Sequence, residues 1–334
     1  MTLSIVGTGL VSPFGRSPRE HVFFLRAHVP SPFTPPFTRR DQKPVRVHFC
    51  PWLDAGLPPA ARLTALATTA LDGALSSLRE ARLPAPILAL CLARPRPGLD
   101  AEVHAAVAEA LRLRLSPASI ETCWGEAGCF AALQMAEREV RRNPGALVAI
   151  VAADSHVSAE WLADRVERPP TRWETRKPTP SEAAAALVVA SSQLVAQHRL
   201  PPFGAIQRSA IATGAANDDN DEVADALGMG AVLRELGTGH VPHAFGQGEV
   251  DALRREEWYR AVARQSARFW ECSHVCLEAD IGAVGAAAGL ANLVFGGATF
   301  RHGVGAPPAS EPVLAWALSR DGTRGAASFT VEGP

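Results

Sequence analysis

The sequence predicts an α/β fold, because short apolar runs typical of buried strands alternate with longer segments of helical periodicity. The clearest unit is a helix over Ala127 to Arg142, which ends at Asn143-Pro144-Gly145 and is followed by an apolar strand over Ala146 to Ala153. The same alternation precedes it. A helix is predicted over Arg62 to Arg82, a strand over Ile87 to Leu92 and a helix over Ala101 to Leu115.

The length of 334 residues is more than twice that of a typical domain of about 150, which suggests one large domain or two fused halves. A second series of elements begins after Pro201-Pro202. We therefore expect two similar halves, residues 1–200 and 201–334. The predicted elements of the second half are a strand over Gly204 to Ala212, helices over Asp221 to Leu236 and Gly248 to Arg268, a strand over His274 to Leu277, a Gly/Ala-rich helix within Ile281 to Phe300, and strands near Val313 to Leu318 and Ala326 to Val331.

The first half opens with a strand over Thr2 to Gly7, and Gly7-Thr8-Gly9 is typical of a tight turn after it. Ser17 is placed to cap a helix over Glu20 to Ala27. Residues 29–59 are rich in proline and predict an extended excursion that ends near Cys50-Pro51-Trp52.

The composition indicates an ordinary globular protein, with 47% apolar residues, 20% charged residues and a net charge of -1. Without a basic excess to neutralise phosphates, nucleic acid is not the expected partner. The six cysteines form no regular framework and no leader precedes the first strand, so a reducing cytoplasm is expected. Residues 281–300 are uncharged but dominated by Gly and Ala, which favours a buried helix over a membrane span.

Four segments, in this order, resemble the β-ketoacyl synthase branch of the thiolase-like superfamily. They are the opening Ile5 to Gly15, the helix and strand over Gly125 to Ala153, the strand in Pro178 to Val189, and Gly282-Ala283-Val284-Gly285-Ala286-Ala287-Ala288-Gly289, which resembles the family's Gly-His-x-x-Gly-Ala-Ala-Gly. The resemblance spans nearly the whole chain. It implies a five-layer αβαβα fold with two pseudo-symmetric halves, commonly assembled as a homodimer.

In the active family, a cysteine at the start of a buried helix attacks an acyl thioester, and two histidines and a lysine support the reaction. The nucleophile position falls at Gly125 or Glu126, and neither residue can form a thioester. The lysine position falls at Glu278 and the second histidine at Ala283. The closing Gly-Phe-Gly-Gly turn is replaced by Gly322-Thr323-Arg324-Gly325. The resemblance therefore implies the fold without the reaction, and no catalytic residue is expected.

Two residues keep a catalytic alternative open. Cys123 lies just before the nucleophile position in Glu121-Thr122-Cys123-Trp124, which resembles the family's Thr-Ala-Cys and makes Cys123 a candidate shifted nucleophile. His243 precedes Asp251 at the spacing of the family's first histidine and aspartate. An acyltransferase that uses Cys123 and His243 is thus one alternative, while a lipid-binding role in a residual pocket without chemistry is another.

The sequence contains three other candidate sites, but each lacks a residue or a spacing that its chemistry requires. Gly7-Thr8-Gly9 has Ser12 where a dinucleotide motif needs a third glycine, so no cofactor is expected. Cys272, His274 and Cys276 would share one face of a strand, but no second Cys/His pair completes a tetrahedral set, so no metal is expected. Asp154-Ser155-His156 contains the residue types of a hydrolase triad, yet consecutive residues cannot usually form the relay, which favours a polar loop.

The function that these observations favour is a catalytically degenerate, ketosynthase-like protein that binds another protein as an adaptor or chaperone, with a type VI secretion effector as one context by analogy. A chain-length-factor-like subunit paired with an active ketosynthase is an alternative. Trp and Arg dominate binding hot spots, so the candidate partner-binding residues are Trp52, Arg172, Trp173 and Arg176.

Overall fold

The computed structural model describes residues 2–28, 45–167, 179–214, 227–247, 252–303 and 311–332. The strands are β1 (Leu3–Val11), β2 (Ile87–Leu92), β3 (Ser119–Trp124), β4 (Leu147–Ser155), β5 (Glu182–Ser191), β6 (Gly204–Thr213), β7 (His243–Phe245), β8 (Ser273–Val275), β9 (Val313–Leu318) and β10 (Thr323–Val331). The helices are α1 (Pro18–Arg26), α2 (Pro59–Leu75), α3 (Ala101–Leu115), α4 (Gly128–Arg142), α5 (Ala159–Glu167), α6 (Ser192–His198), α7 (Leu227–Glu235), α8 (Ala252–Ala263), α9 (Leu277–Ile281) and α10 (Ala288–His302).

The strands form a sheet of the order β3-β2-β4-β5-β1-β6-β10-β9-β7-β8, in which the second half repeats the first in mirror order. In each half, three strands run in parallel and two join in antiparallel fashion. The halves meet where Leu3 to Ile5 of β1 pair with Gly204 to Ile206 of β6. This symmetry confirms the two pseudo-symmetric halves, while the exact division at residue 200 stays a prediction.

Three hydrophobic cores separate the layers. The central core surrounds α4 and α10, which contact strands of both halves of the sheet. One outer core lies under α2 and α3, and the other lies under α7 and α8. Helices therefore alternate with the two halves of the sheet in five layers, as the resemblance implies. Because α10 is apolar on all sides, it occupies the middle layer, and the expectation of a buried Gly/Ala helix is confirmed from Ala288 onward.

The predicted turn at Gly7-Thr8-Gly9 is wrong, because β1 continues through these residues to Val11. A Cβ on Gly7 would lie 2.0 Å from the carbonyl oxygen of Ala74, and one on Gly9 would lie 1.9 Å from that of Ala70. The two glycines thus let α2 pack directly on the strand, which is a reason for glycine that has nothing to do with a turn.

Other differences concern element ends and elements that the sequence did not predict, among them β3, β7, α5 and α6. The helix predicted from Arg62 begins at Pro59 and ends at Leu75, and Leu277 starts α9 instead of ending β8. The strand β3 was not predicted, because three of the six residues of Ser119–Trp124 are polar and the strand lies at the edge of the sheet. Residues 221–226 and 248–251, with which two predicted helices begin, lie outside the described residues.

Within the described ranges, no helix is both long and apolar enough to cross a bilayer.

Helix α1 is capped as predicted, since the Ser17 hydroxyl accepts a hydrogen bond from the amide of Glu20, but the helix begins at Pro18 and not at Glu20. His21 is fully buried at this point. Its Nδ1 donates to the Ser17 carbonyl at 2.7 Å and its Nε2 accepts from the Ser12 hydroxyl at 2.6 Å. A neutral imidazole thus ties the end of β1 to α1.

Acid is expected to destabilise the protein through this histidine. Burial lowers the pKa of His21 from 6.5 to about 4, against the opposing effects of the Ser17 carbonyl and Glu20. The unfolded chain binds a proton more readily, so the contribution is complete above pH 6.5 and is lost as the pH falls toward 4. The free energy of unfolding should fall by about 2 kcal/mol more between pH 7 and pH 5 in the wild type than in His21→Gln. Equal pH dependence of the two proteins would contradict a buried neutral His21.

Candidate functional site

The candidate site lies where β3 leads into α4, at the C-terminal edge of the parallel strands. Gly125 has φ +75°, in the left-handed region that favours glycine. A Cβ at this position would lie 2.8 Å from the hydroxyl oxygen of Ser319, which accepts a hydrogen bond from the amide of Ala127 at 2.8 Å. A neutral hydroxyl therefore bonds an amide that would otherwise favour an anion at the start of the helix. The space of a nucleophile at residue 125 is filled by Ser319.

Cys123 lies in β3 directly opposite Cys91 of β2. Its side chain is half-buried, and its Cβ would lie 3.4 Å from a Cβ on Gly128, the first residue of α4. A hydrogen bond from the Cys91 thiol lowers the pKa of Cys123, against burial and the charge of Glu121. Cys123 is thus a thiol with increased thiolate character near the start of the helix, but it belongs to the strand.

The second candidate thiol, Cys129, lies inside α4 and is fully buried. Burial raises the pKa of Cys129 well above its usual value. A Cβ on Gly289 of α10 would lie 2.7 Å from its sulfur atom and 2.5 Å from the carbonyl oxygen of Glu126. The close contact of α4 with α10 therefore covers Cys129, which suits a packing residue.

Glu278 and Ala283, which the sequence resemblance places at the family's lysine and second-histidine positions, have structural contacts. Glu278 is buried, and its Oε1 accepts a hydrogen bond from the amide of Val284 at 3.1 Å. The Ala283 carbonyl accepts from the amide of Ser181 at 3.0 Å, and its amide donates to the Thr179 carbonyl at 2.8 Å. Glu278 thus holds the loop before α10, and neither Glu278 nor Ala283 carries an imidazole that could polarise a thioester carbonyl.

Asp154 occupies the end of β4 and is fully buried. Its carboxylate forms an ion pair with Arg96 and accepts a hydrogen bond from the amide of Ala286 at 2.9 Å. Burial alone would raise the pKa of Asp154, but Arg96, His156 and these hydrogen bonds hold it below its usual value. Its charge is therefore placed against the residues that lead into α10.

Asp154, Ser155 and His156 do not form a triad. The His156 Nδ1 donates to the Ala283 carbonyl at 2.9 Å, and its ring stacks on Trp161 with 4.4 Å between centroids. The Ser155 hydroxyl donates to Glu182 at 2.9 Å instead of to the imidazole. Asp154 and Ser155 belong to the buried strand β4, so the prediction of a polar loop is wrong for these two residues.

His243 lies far from the nucleophile position. It begins β7 and its ring lies 4.8 Å from that of Phe300, near the C-terminal end of α10. Glu126 contacts the same helix at Gly289, eleven residues away, and a helix rises about 1.5 Å per residue. The structure therefore does not bring His243 and Cys123 together.

Of the candidate partner-binding residues, only Trp52 lies in the described part of the chain. It is half-buried against the outer core of the first half, and the Arg16 guanidinium lies 5.0 Å from its ring centre. Trp52 therefore takes part in packing. Arg172, Trp173 and Arg176 lie outside the described residues.

Within the described ranges, no cluster of three or more His, Cys, Asp or Glu side chains could hold a metal ion. His274 stacks on Trp258 and Trp316 with centroid distances of 5.4 and 5.5 Å. Cys272 and Cys276 lie on either side of the three-residue strand β8, so the predicted shared strand face of Cys272, His274 and Cys276 is wrong.

Sequence reasoning missed Ser319 and Gln247. The Gln247 side chain is buried next to the same turn, and its Oε1 accepts a hydrogen bond from the amide of Leu318 at 2.9 Å. Ser319 directly follows β9, close to the altered closing turn that was recognised in the sequence, but nothing local indicates that it reaches α4. These contacts join segments far apart in the chain.

No protein-family model matches this chain, and no curated protein is similar to it by sequence. Solved structures are similar in fold. A chain of the ishigamide ketosynthase/chain length factor has 19% identity and a TM-score of 0.73, with 100% of both chains covered. The ketosynthase from module 6 of the bacillaene synthase of Bacillus subtilis 168 has 13% identity and a TM-score of 0.74, with 100% of this chain and 73% of that chain covered.

A third similar structure is a type II PKS acyl-carrier protein in complex with its ketosynthase bound to the hexaketide. One of its chains has 14% identity and a TM-score of 0.69, with 99% of both chains covered. Together with the five layers and the repeated strand order, these similarities confirm the fold expected from the sequence. The protein has the thiolase-like fold of the ketosynthases and chain length factors.

Proposed function

We propose that this protein is a catalytically silent ketosynthase-like protein that acts by binding another protein. The observation that carries the proposal is the contact of Ser319 with Gly125 and Ala127. Gly125, one of the two residues that fall at the nucleophile position, has no side chain, and the Ser319 hydroxyl fills the adjacent space and bonds the amide of Ala127. Glu278 and Ala283 add to this, because both have structural contacts in place of catalytic groups.

The purified protein is expected to form no acyl adduct with a panel of acyl and malonyl thioesters. Cys123 is only half-buried, but it lies in β3 and not at the start of α4, and Cys129 is covered by α10. Intact-mass spectrometry of the wild type, Cys123→Ala and Cys129→Ala should give unchanged masses after incubation. An active ketosynthase in the same assay is the positive control.

A stable adduct that disappears in Cys123→Ala alone would contradict the proposal and favour the acyltransferase alternative with a shifted nucleophile. An adduct lost in Cys129→Ala would instead mean that α10 moves away from α4. Circular dichroism of the three proteins is needed to show that each variant is folded.

A specific observation favours a chain-length-factor-like subunit as a second candidate. This chain aligns over its whole length with chains of the ishigamide ketosynthase/chain length factor and of a ketosynthase complex. In the described residues, the edge strand β3 pairs with β2 alone, and its Ser119, Glu121 and Thr122 are exposed. An edge strand offers unpaired backbone groups to a partner.

The two candidates differ in the protein that binds. A stable one-to-one complex with a ketosynthase chain of the same host, weakened by Thr122→Lys, would support the chain-length-factor role. A complex with a secreted effector would support the adaptor or chaperone role, for which type VI secretion is a context by analogy only. Homodimerisation and a cytoplasmic location are further parts of the proposal, and native mass spectrometry of the purified protein tests the first.

A further inference from the structure

A cavity of about 220 Å³ lies between α1, α10, the first part of β1 and the last part of β10. Its wall is largely apolar and is formed mainly by residues of the central core. The side chains that form this wall include Ile5, Phe203, Leu293, Val294, Ala298 and Phe329. Most of them are buried, so the wall is shaped by packed side chains of β1, α10, β10 and the segment before β6.

The mouth of this cavity is cationic. The exposed Arg19 and His302 and the half-buried Arg301 lie at its rim. The Arg301 guanidinium lies 4.2 Å from the ring centre of Phe203, so it is held over the apolar wall. Neither Arg19 nor Arg301 forms an ion pair with a carboxylate of the described residues.

The guanidinium groups of Arg19 and Arg301 both lie close enough to His302 to affect its pKa. Burial lowers the pKa of His302, and the charges of Arg301 and Arg19 lower it further. His302 is therefore neutral near pH 7, and the rim carries two positive charges that face a small apolar space. Such a combination of an apolar interior with a few charged groups is typical of a ligand site.

This cavity is separate from the site around Gly125. Helix α10 contacts Glu126 at Gly289, whereas its cavity residues begin one turn later at Leu293 and continue to His302. β1 runs parallel to β4, since both pair with β5 in antiparallel fashion. Ile5 is near the N-terminal end of β1, so it lies at the opposite end of the strands from the C-terminal end of β3.

We propose that this cavity binds a medium-chain aliphatic carboxylate, with the chain inside and the carboxylate at Arg19 and Arg301. A water molecule occupies about 30 Å³ of liquid and a methylene group is of similar size, so the cavity has room for roughly seven such groups. The guanidinium groups supply donors that match a carboxylate. This proposal is independent of the protein-binding role.

Isothermal titration of the full chain with octanoate tests the proposal. Saturable binding of octanoate is expected, with octan-1-ol roughly tenfold or more weaker because it lacks the charge. Arg301→Gln should reduce octanoate affinity to a similar extent, whereas Arg141→Gln on the exposed face of α4 should leave it unchanged. Equal binding of octanoate and octan-1-ol, or an unchanged affinity in Arg301→Gln, would overturn the carboxylate site.

A second variant tests the location. A Cβ on Gly297 of α10 would have only the Phe329 ring nearby, at 3.9 Å, so the side chain in Gly297→Leu can enter the cavity. The change also favours the helix, since glycine is a poor helix former. Loss of octanoate binding at an unchanged Tm is expected, with Gly297→Ala as a milder step. Full binding by folded Gly297→Leu, or no binding by the wild type, would show that the cavity is not the site.

Discussion

The substitution Arg62→Ala is expected to lower the free energy of unfolding by about 3–5 kcal/mol. Arg62 and Glu182 form a buried ion pair in which the side chains are 1% and 0% exposed and the shortest N–O distance is 2.8 Å. Removing the guanidinium leaves a buried carboxylate without its counter-charge, which costs more than the loss of the contact itself.

The position of this pair in the fold increases the effect. Glu182 also accepts hydrogen bonds from the amide of Cys50 at 2.7 Å and from the hydroxyl of Ser155 at 2.9 Å. The Arg62 guanidinium donates to the carbonyl of Asp54 as well. One charge pair thus joins α2, the end of β4, the start of β5 and the chain around residue 50.

Denaturation in guanidinium chloride measures the effect, and Arg114→Ala is the matched control. Arg114 forms an exposed ion pair with Asp72, with side chains 51% and 36% exposed, and removing it should cost about 0–1 kcal/mol. If the two variants lost the same free energy, the Arg62–Glu182 pair could not be a desolvated pair that organises the first half.

The substitution Trp316→Ala is expected to cost about 3–5 kcal/mol of unfolding free energy. Trp316 is fully buried in the outer core of the second half, and its ring stacks on Trp258 with 4.4 Å between centroids and an interplanar angle of 8°. A Cβ on Gly246 would lie 2.1 Å from the indole, so β9 and the end of β7 also meet at this ring. Alanine would leave a large cavity between rigid elements.

Trp270→Ala is the control for this change, because Trp270 belongs to the same half but is 70% exposed. The free energy of unfolding of Trp270→Ala should stay within about 0.5 kcal/mol of that of the wild type. Thermal and chemical denaturation of both variants make the comparison. A small effect of Trp316→Ala would mean that the outer core of the second half contributes little to the stability of the domain.

The sequence alone predicted elements in which local periodicity is strong. The helix over Ala101 to Leu115 has the predicted bounds, and α4 differs from its prediction by one residue. These segments repeat apolar residues at helical spacing, which is a property of neighbouring residues. The edge strand β3 was missed for the same reason, since a partly exposed strand lacks an apolar pattern.

The resemblance seen in the sequence also implied which catalytic residue types are missing, because the order of the motifs places Gly125, Glu278 and Ala283 at the family's catalytic positions. Only the tertiary structure decided what replaces them. The Ser319 hydroxyl reaches the amide of Ala127 across 192 positions of the chain, and Asp154 reaches Ala286 across 132. Likewise, Gly7 and Gly9 predicted a turn from the sequence, whereas in the structure they let the backbone of α2 pack against β1. Such contacts arise when whole layers pack together, so the residues around either partner carry no local pattern that predicts them.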